Sequence, residues 1–361
     1  MNTDWKTCAL INLSALRDNI NTIRRLTPKS KLIAVVKANA YGHDMEIIVQ
    51  DLKTQVDGFA VATIEEGLFL RKIDSKSPLL ILSGLCLPSQ LRQCASSRLE
   101  PVIHSFHQVK WIDDYSGKPI DIWLKCNTGM NRLGMDHYEF GQAFRTLERS
   151  PHIASIRLIS HFAIAEDWKN DFTNEQIQKF IQITTGFERE RSLANSAGIM
   201  CWPDSHFEWV RPGIMLYGIS PLDQNNTGCG LRPVMKLQAR VISFQRLKQG
   251  DTIGYGRTYT APKSMKIANL GIGYGDGFFR MMHDSAYVVI HKQKAPIVGR
   301  ISMDSMTVDV SNIENVQTGD WAVLWGEWPS VNEVATWAGT NTYEIVCKLS
   351  TRVPRKIEYD A

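Results

Sequence analysis

Between residues 31 and 211 the sequence alternates short aliphatic, β-branched runs with longer stretches of helical periodicity, and this alternation limits the fold more than any other feature. The apolar runs fall at 31–36, 58–61, 79–82, 99–103, 120–125 and 153–159, with two shorter candidates at 192–195 and 208–211. Helical spacing covers 14–26, where Leu13, Leu16, Ile20, Ile23 and Leu26 recur every three or four residues before Pro28, and then 45–52, 64–72, 89–96, 136–148 and 174–191. Near-continuous apolar runs such as Leu32-Ile33-Ala34-Val35-Val36 read as strands buried on both faces, the signature of a parallel sheet. Eight of them interleaved with helices give the count and order of an α/β fold of the (β/α)8 TIM type.

After Tyr217 the texture changes. Residues 223–230 (DQNNTGCG) read as a linker, and beyond them short β runs separated by turns (MKLQARVISF, KIANLGIGY, AYVVIHK, SMTVDVS, DWAVLWG) predict a mostly β C-terminal domain closed by helices at 331–338 and 343–351. A chain of 361 residues suits two domains, and we place them at 1–222 and 223–361. Lys+Arg 41 against Asp+Glu 37 leaves +4 without any polybasic or acidic run, so neither nucleic acid nor an anionic membrane is implied as a partner. No apolar segment approaches a membrane span, and the first residues lack the basic start and apolar core of a signal peptide. The seven cysteines are scattered without a CxxC, which reads as reduced thiols in a cytoplasmic protein with no metal site.

Polar residues gather where the strands end, which in barrels of this type is where chemistry is placed. The first apolar run stops on Lys37 and is followed by Asn39, Tyr41, Gly42 and His43. A lysine between Val36 and Ala38 is partly desolvated; burial disfavours its ammonium and frees the amine to attack a carbonyl. The fifth run ends on Lys125 and opens the loop CNTGMNRLG, where Arg132 between two glycines suits a bidentate carboxylate contact. Ser160-His161-Phe162-Ala163 follows the sixth. Ala194-Asn195-Ser196-Ala197-Gly198 follows the seventh, and its small residues and hydroxyl at a strand-to-helix turn suit a phosphate. Arg211-Pro212-Gly213-Ile214 follows the eighth, with Gly213 and Ile214 offering N–H groups to the same anion.

These stretches together resemble the alanine racemase family, with KLIAVVKANAYGHD, KCNTGMNRLG and WVRPGIMLYG in the barrel and IGYGRTY, GYGDG, GRISMD, NTYE and LSTRVPR beyond it. The likeness runs roughly from residue 30 to 355 in family order. It implies a pyridoxal 5'-phosphate enzyme that interconverts L- and D-alanine, with D-alanine going to cell-wall synthesis or alanine serving catabolism. By the same resemblance Lys37 carries the cofactor as a Schiff base and serves as one base. Tyr41, Asn195, Ser196, Gly213, Ile214 and Tyr343 surround its phosphate, and His161 and Arg211 meet its ring. Arg132 and the Met303 backbone N–H take the substrate carboxylate, Tyr274 lines the access path, and Lys125 matches a position that can be carbamylated. Tyr255 is the second base, supplied across a homodimer interface. An arginine at the ring nitrogen cannot accept its proton, so the ring stays neutral and is a weaker electron sink, which suits proton exchange at Cα over transamination.

Two other functions share the fold: a racemase of serine or of several amino acids, and a non-catalytic pyridoxal-phosphate carrier. The broad-specificity relatives look secreted and disulfide-bearing, unlike this chain, and the carriers lack the β domain that holds Tyr255. Barrel decarboxylases place an acid where this chain has Arg211.

Overall fold

A computed structural model describes residues 5–222 and 229–358, so most of the expected linker, at 223–228, lies outside the described residues. A short strand, β1 (Thr7–Ile11), precedes eight parallel strands that close into a barrel: β2 (Lys31–Val35), β3 (Gly58–Val61), β4 (Leu79–Ile81), β5 (Glu100–Ile103), β6 (Ile120–Lys125), β7 (Ile153–Ile159), β8 (Arg191–Ser192) and β9 (Trp209–Val210). Closure runs through Lys31 opposite Trp209 and Leu32 opposite Val210. The expected barrel is therefore present, with its strands where the apolar runs lie. Leu32, Val61, Ile81, Ile103, Ile122 and Leu158 are fully buried, each burial stabilising by about 1.5–3 kcal/mol, and Ala34 is buried with them. At the strands' N-terminal end Arg157 bridges Glu100 at 3.0 Å and Glu190 at 3.1 Å and lies over the rings of Trp123 and Trp209.

Helices cover the outside as the spacing predicts, with two differences, and a third concerns the barrel strands. The helix expected over 174–191 runs only Phe172–Thr184, because Gly186 takes φ +85° and turns the chain back into β8. A helix over Phe106–Asp113 forms where none was expected, burying Val109 and Ile112. The last two barrel strands pair over only two residues each.

β1 does not belong to the barrel. It pairs antiparallel with the long strand β10 (Met235–Leu247), so Thr7–Ile11 sit in the C-terminal sheet. The other strands of that region are β11 (Thr252–Ile253), β12 (Tyr259–Thr260), β13 (Met265–Leu270), β14 (Tyr287–Ile290), β15 (Gln293–Pro296), β16 (Met306–Asp309), β17 (Trp321–Trp325) and β18 (Arg355–Ile357). Their main sheet runs β15-β14-β17-β10-β1-β18, with β13 and β16 continuing from the far half of β10 past an irregularity at Val241/Ser243. β18 lies parallel to β1, which brings the segment after Leu349 back beneath the barrel mouth. One apolar core is continuous from the barrel strands through Tyr217 and Val346 to Val353. Among the described residues no helix is long and apolar enough to cross a membrane.

Candidate active site

Lys37 follows β2 at the C-terminal mouth of the barrel and is half-buried. The next four residues, Ala38, Asn39, Ala40 and Tyr41, are all left-handed, with φ of 52, 53, 54 and 51°. For residues with a Cβ this costs about 1–2 kcal/mol each, and it persists only where the surroundings impose it. They do so here. Ala40 N–H donates to Val36 O (2.8 Å), Gly42 N–H to Ala38 O (3.0 Å) and Asp44 N–H to Asn39 O (3.1 Å). From outside the turn, Glu66 Oε1 accepts from Ala38 N–H at 2.7 Å and Arg355 Nε–H donates to Gly42 O at 2.8 Å. Gly42 itself is at φ +78°, and a Cβ there would lie 2.1 Å from Val346 O. The turn thereby seats Tyr41, 6% exposed, with its ring 5.1 Å from that of Tyr217 and 6.0 Å from that of Tyr343.

Around Lys37 the mouth is cationic. Burial and the neighbouring Arg132 lower the Lys37 pKa, with Arg211 adding to the effect. Lys125, buried at the end of β6, falls to about 8 through burial and the charges of Arg211 and Arg132. Arg211 is buried, and burial brings its guanidinium down to about 9. It is anchored by bonds to Ser192 Oγ, Ser160 O (2.8 Å), Leu193 O (3.3 Å) and His161 Nδ1 (3.4 Å). Because the arginine can only donate, His161 Nδ1 is the bare nitrogen of that ring. Burial and then Arg211 hold His161 neutral, well below its usual range. Gln176, from the helix Phe172–Thr184, reaches under this layer: its amide donates to Thr128 Oγ1 (3.1 Å) and His161 O (3.2 Å) and accepts from Ala163 N–H (2.9 Å). It so ties the loop of Arg132, itself exposed at the mouth, to that of His161.

Opposite lies the small-residue cradle. Ser196 Oγ accepts from Gly213 N–H (2.9 Å) and Met215 N–H (3.3 Å), leaving the Ser196 hydroxyl proton to donate elsewhere. Asn195 caps its helix by accepting from Gly198 N–H at 2.9 Å, which leaves its amide NH2 for other use. Ile214 is buried beside them. A Cβ on Gly213 would come within 2.7 Å of Tyr41 Oη, so only glycine keeps this corner open to the phenol. A cavity of ≈ 320 Å³ adjoins it, bounded by Asn195, Glu166, Asn341 and Tyr343. Burial and Glu166 push the Tyr343 phenol up to about 12.

The remaining expected residues form a second group on the β domain. Tyr255, in the turn between β11 and β12, is 71% exposed, and Met303 is 51% exposed. Tyr274 N–H donates to Ser302 O (3.0 Å) and Gly275 N–H to Met303 O (2.8 Å), so the turns of Tyr274 and Met303 are joined. Arg300 lies against Gly256, beside Tyr255. Among the described residues no hydrogen bond, ion pair or ring contact joins Tyr255 or Met303 to Lys37 or Arg132. One chain thus brings together Lys37, Tyr41, Lys125, Arg132, His161, Asn195, Ser196, Arg211, Gly213, Ile214 and Tyr343, but not Tyr255 and Met303. Sequence reasoning missed Glu66, Gln176 and Arg355. Glu66 left a signal as the third residue of a helix-capping box after Thr63, and Arg355 as the end of LSTRVPR, but neither betrays its bond to the lysine turn.

A closed parallel barrel with a half-buried amine at its mouth, an anion cradle after its last strands and an appended β domain defines a racemase-type pyridoxal-phosphate fold. The profile described as "Alanine racemase, N-terminal domain" matches residues 11–221, and "Alanine racemase, C-terminal domain" matches 234–357. The alanine racemase of Haemophilus influenzae is 40% identical over 347 residues, 96% of each chain. The crystal structure of the biosynthetic alanine racemase of Pseudomonas aeruginosa superposes with a TM-score of 0.94 at 36% identity, covering 98% of this chain and 99% of that one. The alanine racemase of Bartonella henselae, solved with covalently bound pyridoxal phosphate, has a TM-score of 0.91 at 30% identity, covering 98% of this chain and 100% of that one. The chain belongs to the alanine racemase family.

That family depends on pyridoxal phosphate, and the donor set here fits the group. A desolvated amine stands among Arg132, Lys125 and Arg211, while Glu66, the carboxylate that faces it, is spent on the backbone N–H groups of Ala38 and Ala62. An anionic ligand is what would neutralise such a mouth. Among the described residues no group of three or more His, Cys, Asp or Glu side chains could hold a metal ion.

Proposed function

We propose that this chain racemises alanine, interconverting the L and D enantiomers by removing the Cα proton on one face and returning it on the other. The observation that carries the proposal is Lys37 at the end of a barrel strand, its ammonium disfavoured by burial and by Arg132. A larger share of free amine near neutral pH makes Lys37 both a nucleophile for a carbonyl cofactor and a base. Pyridoxal phosphate, when bound, supplies an electron sink next to Cα. Lys37 would hold it covalently. Tyr41, Asn195, Ser196 and Tyr343 would hold its phosphate, with the Gly213–Ile214 corner as the wall, and Arg211 and His161 would meet its ring. Arg211 can only donate a hydrogen bond, so a ring nitrogen facing it would stay unprotonated, which would favour proton exchange at Cα over transamination.

Arg132 holds the substrate carboxylate by its guanidinium fork, braced by Lys125, which can carry a carbamate. A deprotonated Cα needs a second acid/base group on its other face. We assign it to Tyr255 of the partner subunit in a homodimer, with Met303 N–H of the partner subunit on the carboxylate. Tyr255 and Met303 are both exposed, and the glycines flanking Tyr255 approach Arg300, three residues before Met303, which supports this. The barrel domain over 1–222 and the β domain over 223–361 are the two bodies we infer, with β1 contributed to the latter's sheet. We place the enzyme in the cytoplasm.

The purified protein supplied with pyridoxal phosphate should form D-alanine from L-alanine, and the reverse, measured by chiral chromatography, with L-serine converted far more slowly. No D-alanine from a cofactor-loaded protein would refute the proposal; comparable rates on serine would move it to a broader racemase.

A further inference from the structure

His43 lies fully buried at the end of the left-handed turn and has no role in the proposed chemistry. Its Nδ1 is 2.9 Å from Tyr41 O and 3.2 Å from Ala40 O. Both are carbonyls and can only accept, so Nδ1 carries the hydrogen. Nε2 is then a bare lone pair, and it has no hydrogen-bond partner. The imidazole stacks on Tyr217 at 4.4 Å between centroids, and the Tyr217 hydroxyl donates to Val35 O at 3.0 Å, in the strand that delivers Lys37. The same Tyr217 ring packs against Tyr41. One aromatic pair therefore touches the chain on both sides of Lys37: Tyr217 holds the strand before it, and His43 closes the turn after it.

We propose that His43 is a positioning residue whose Nδ1–H, seated on Tyr217, locks the left-handed turn and so fixes where the Lys37 amine and the Tyr41 hydroxyl stand at the barrel mouth. A buried polar atom without a partner is kept only if its other nitrogen repays it. The repayment here is geometric. Without a donor at Nδ1, Tyr41 O loses its side-chain donor and Ala40 O keeps only backbone donors, the His43 N–H at 3.0 Å among them, so four left-handed residues lose the side-chain clamp that opposes their return to ordinary backbone. Burial holds His43 down to about 4, so the ring is neutral at pH 7.

The proposal rests on the roles given above to Lys37 and Tyr41, and the test separates the two. In the holoenzyme, ¹⁵N-histidine NMR, with His43 assigned by its loss in His43→Asn, should show at pH 7 a neutral ring protonated at Nδ1. A ring protonated at Nε2, or at both nitrogens, overturns the proposal whatever the enzyme does. His43→Leu should lose on the order of 10²-fold in kcat with KM for alanine changed by less than about threefold, and should release pyridoxal phosphate faster. His43→Asn, whose amide N–H starts from nearly the same place, should recover at least about tenfold of that loss. A kcat of His43→Leu within about threefold of wild type, or no rescue by asparagine, refutes it. If His43→Leu does not fold, His43→Gln replaces it: its amide sits one methylene too far out, and wild-type kcat there refutes the proposal.

Discussion

Arg211→Met separates the arginine's chemistry from its structural worth. The substitution keeps the length of the stem and removes the fork. Ser160 O and Leu193 O then lose their buried donor, at about 1–3 kcal/mol each. Against this, burial disfavours the cation and brings the guanidinium down to about 9, so removing the charge acts in the opposite sense. Urea unfolding of cofactor-stripped protein should therefore show a stability within about 2 kcal/mol of wild type. Racemisation by the reloaded variant should nevertheless fall by at least about 10²-fold, because the preorganised cation at the ring is gone. A stability loss above about 4 kcal/mol, with normal turnover by the molecules that remain folded, would show that Arg211 is there to hold the barrel and would refute the reasoning.

Three further outcomes are expected. Lys37→Ala should lose both the visible absorbance of bound pyridoxal phosphate and racemisation, and retention of either contradicts the assigned role. Gly42→Ala should destabilise by roughly 2–5 kcal/mol in thermal or urea unfolding, since alanine must take φ +78° with its Cβ 2.1 Å from Val346 O; a neutral result would mean that the helix Thr342–Cys347 is not fixed against the lysine turn. The Glu190 carboxyl is held down to about 2 by hydrogen bonds from Lys31, Trp209 and Arg157 that outweigh its burial. A depressed folded-state pKa stabilises above the unfolded value and ceases to do so as pH falls through the folded one. The stability gap between wild type and Glu190→Gln, present at pH 7, should close as pH drops from about 4.5 toward 2.

The barrel was legible because burial on both faces leaves strands such as Leu32–Val36 without polar alternation. Where pairing lasts only two residues, in β8 and β9, no pattern has room to form, and the count together with the family resemblance placed them. β1 was missed because TCALI follows no visible partner: β10 lies far downstream, and the pairing is a tertiary fact. The helix Phe106–Asp113 was missed because FHQVKWID buries only two apolar residues, Val109 and Ile112, too few to set a period. The site divides in the same way. Lys37, Arg132, His161 and Arg211 could be singled out because strand ends in a barrel face one mouth. The left-handed turn could not, since KANAY holds no glycine and only Asn39 among its residues takes that region readily. It exists because Glu66, Arg355 and Val346, remote in sequence, enclose it. Tyr255 was named from the family resemblance, not from residue physics, and its exposure in a single chain is the observation behind its proposed place in a partner's site.

Subunit mixing tests that central claim most directly. Lys37→Ala and Tyr255→Phe homodimers should each racemise alanine poorly. In a mixed dimer one site carries both defects, while the other pairs an intact Lys37 with an intact Tyr255 of the partner subunit. With exchange verified by differently tagged chains, D-alanine formation should return toward half of the wild-type rate per mixed dimer. If verified mixed dimers stay as inactive as their parents, the two bases belong to one chain and the shared-site account is wrong.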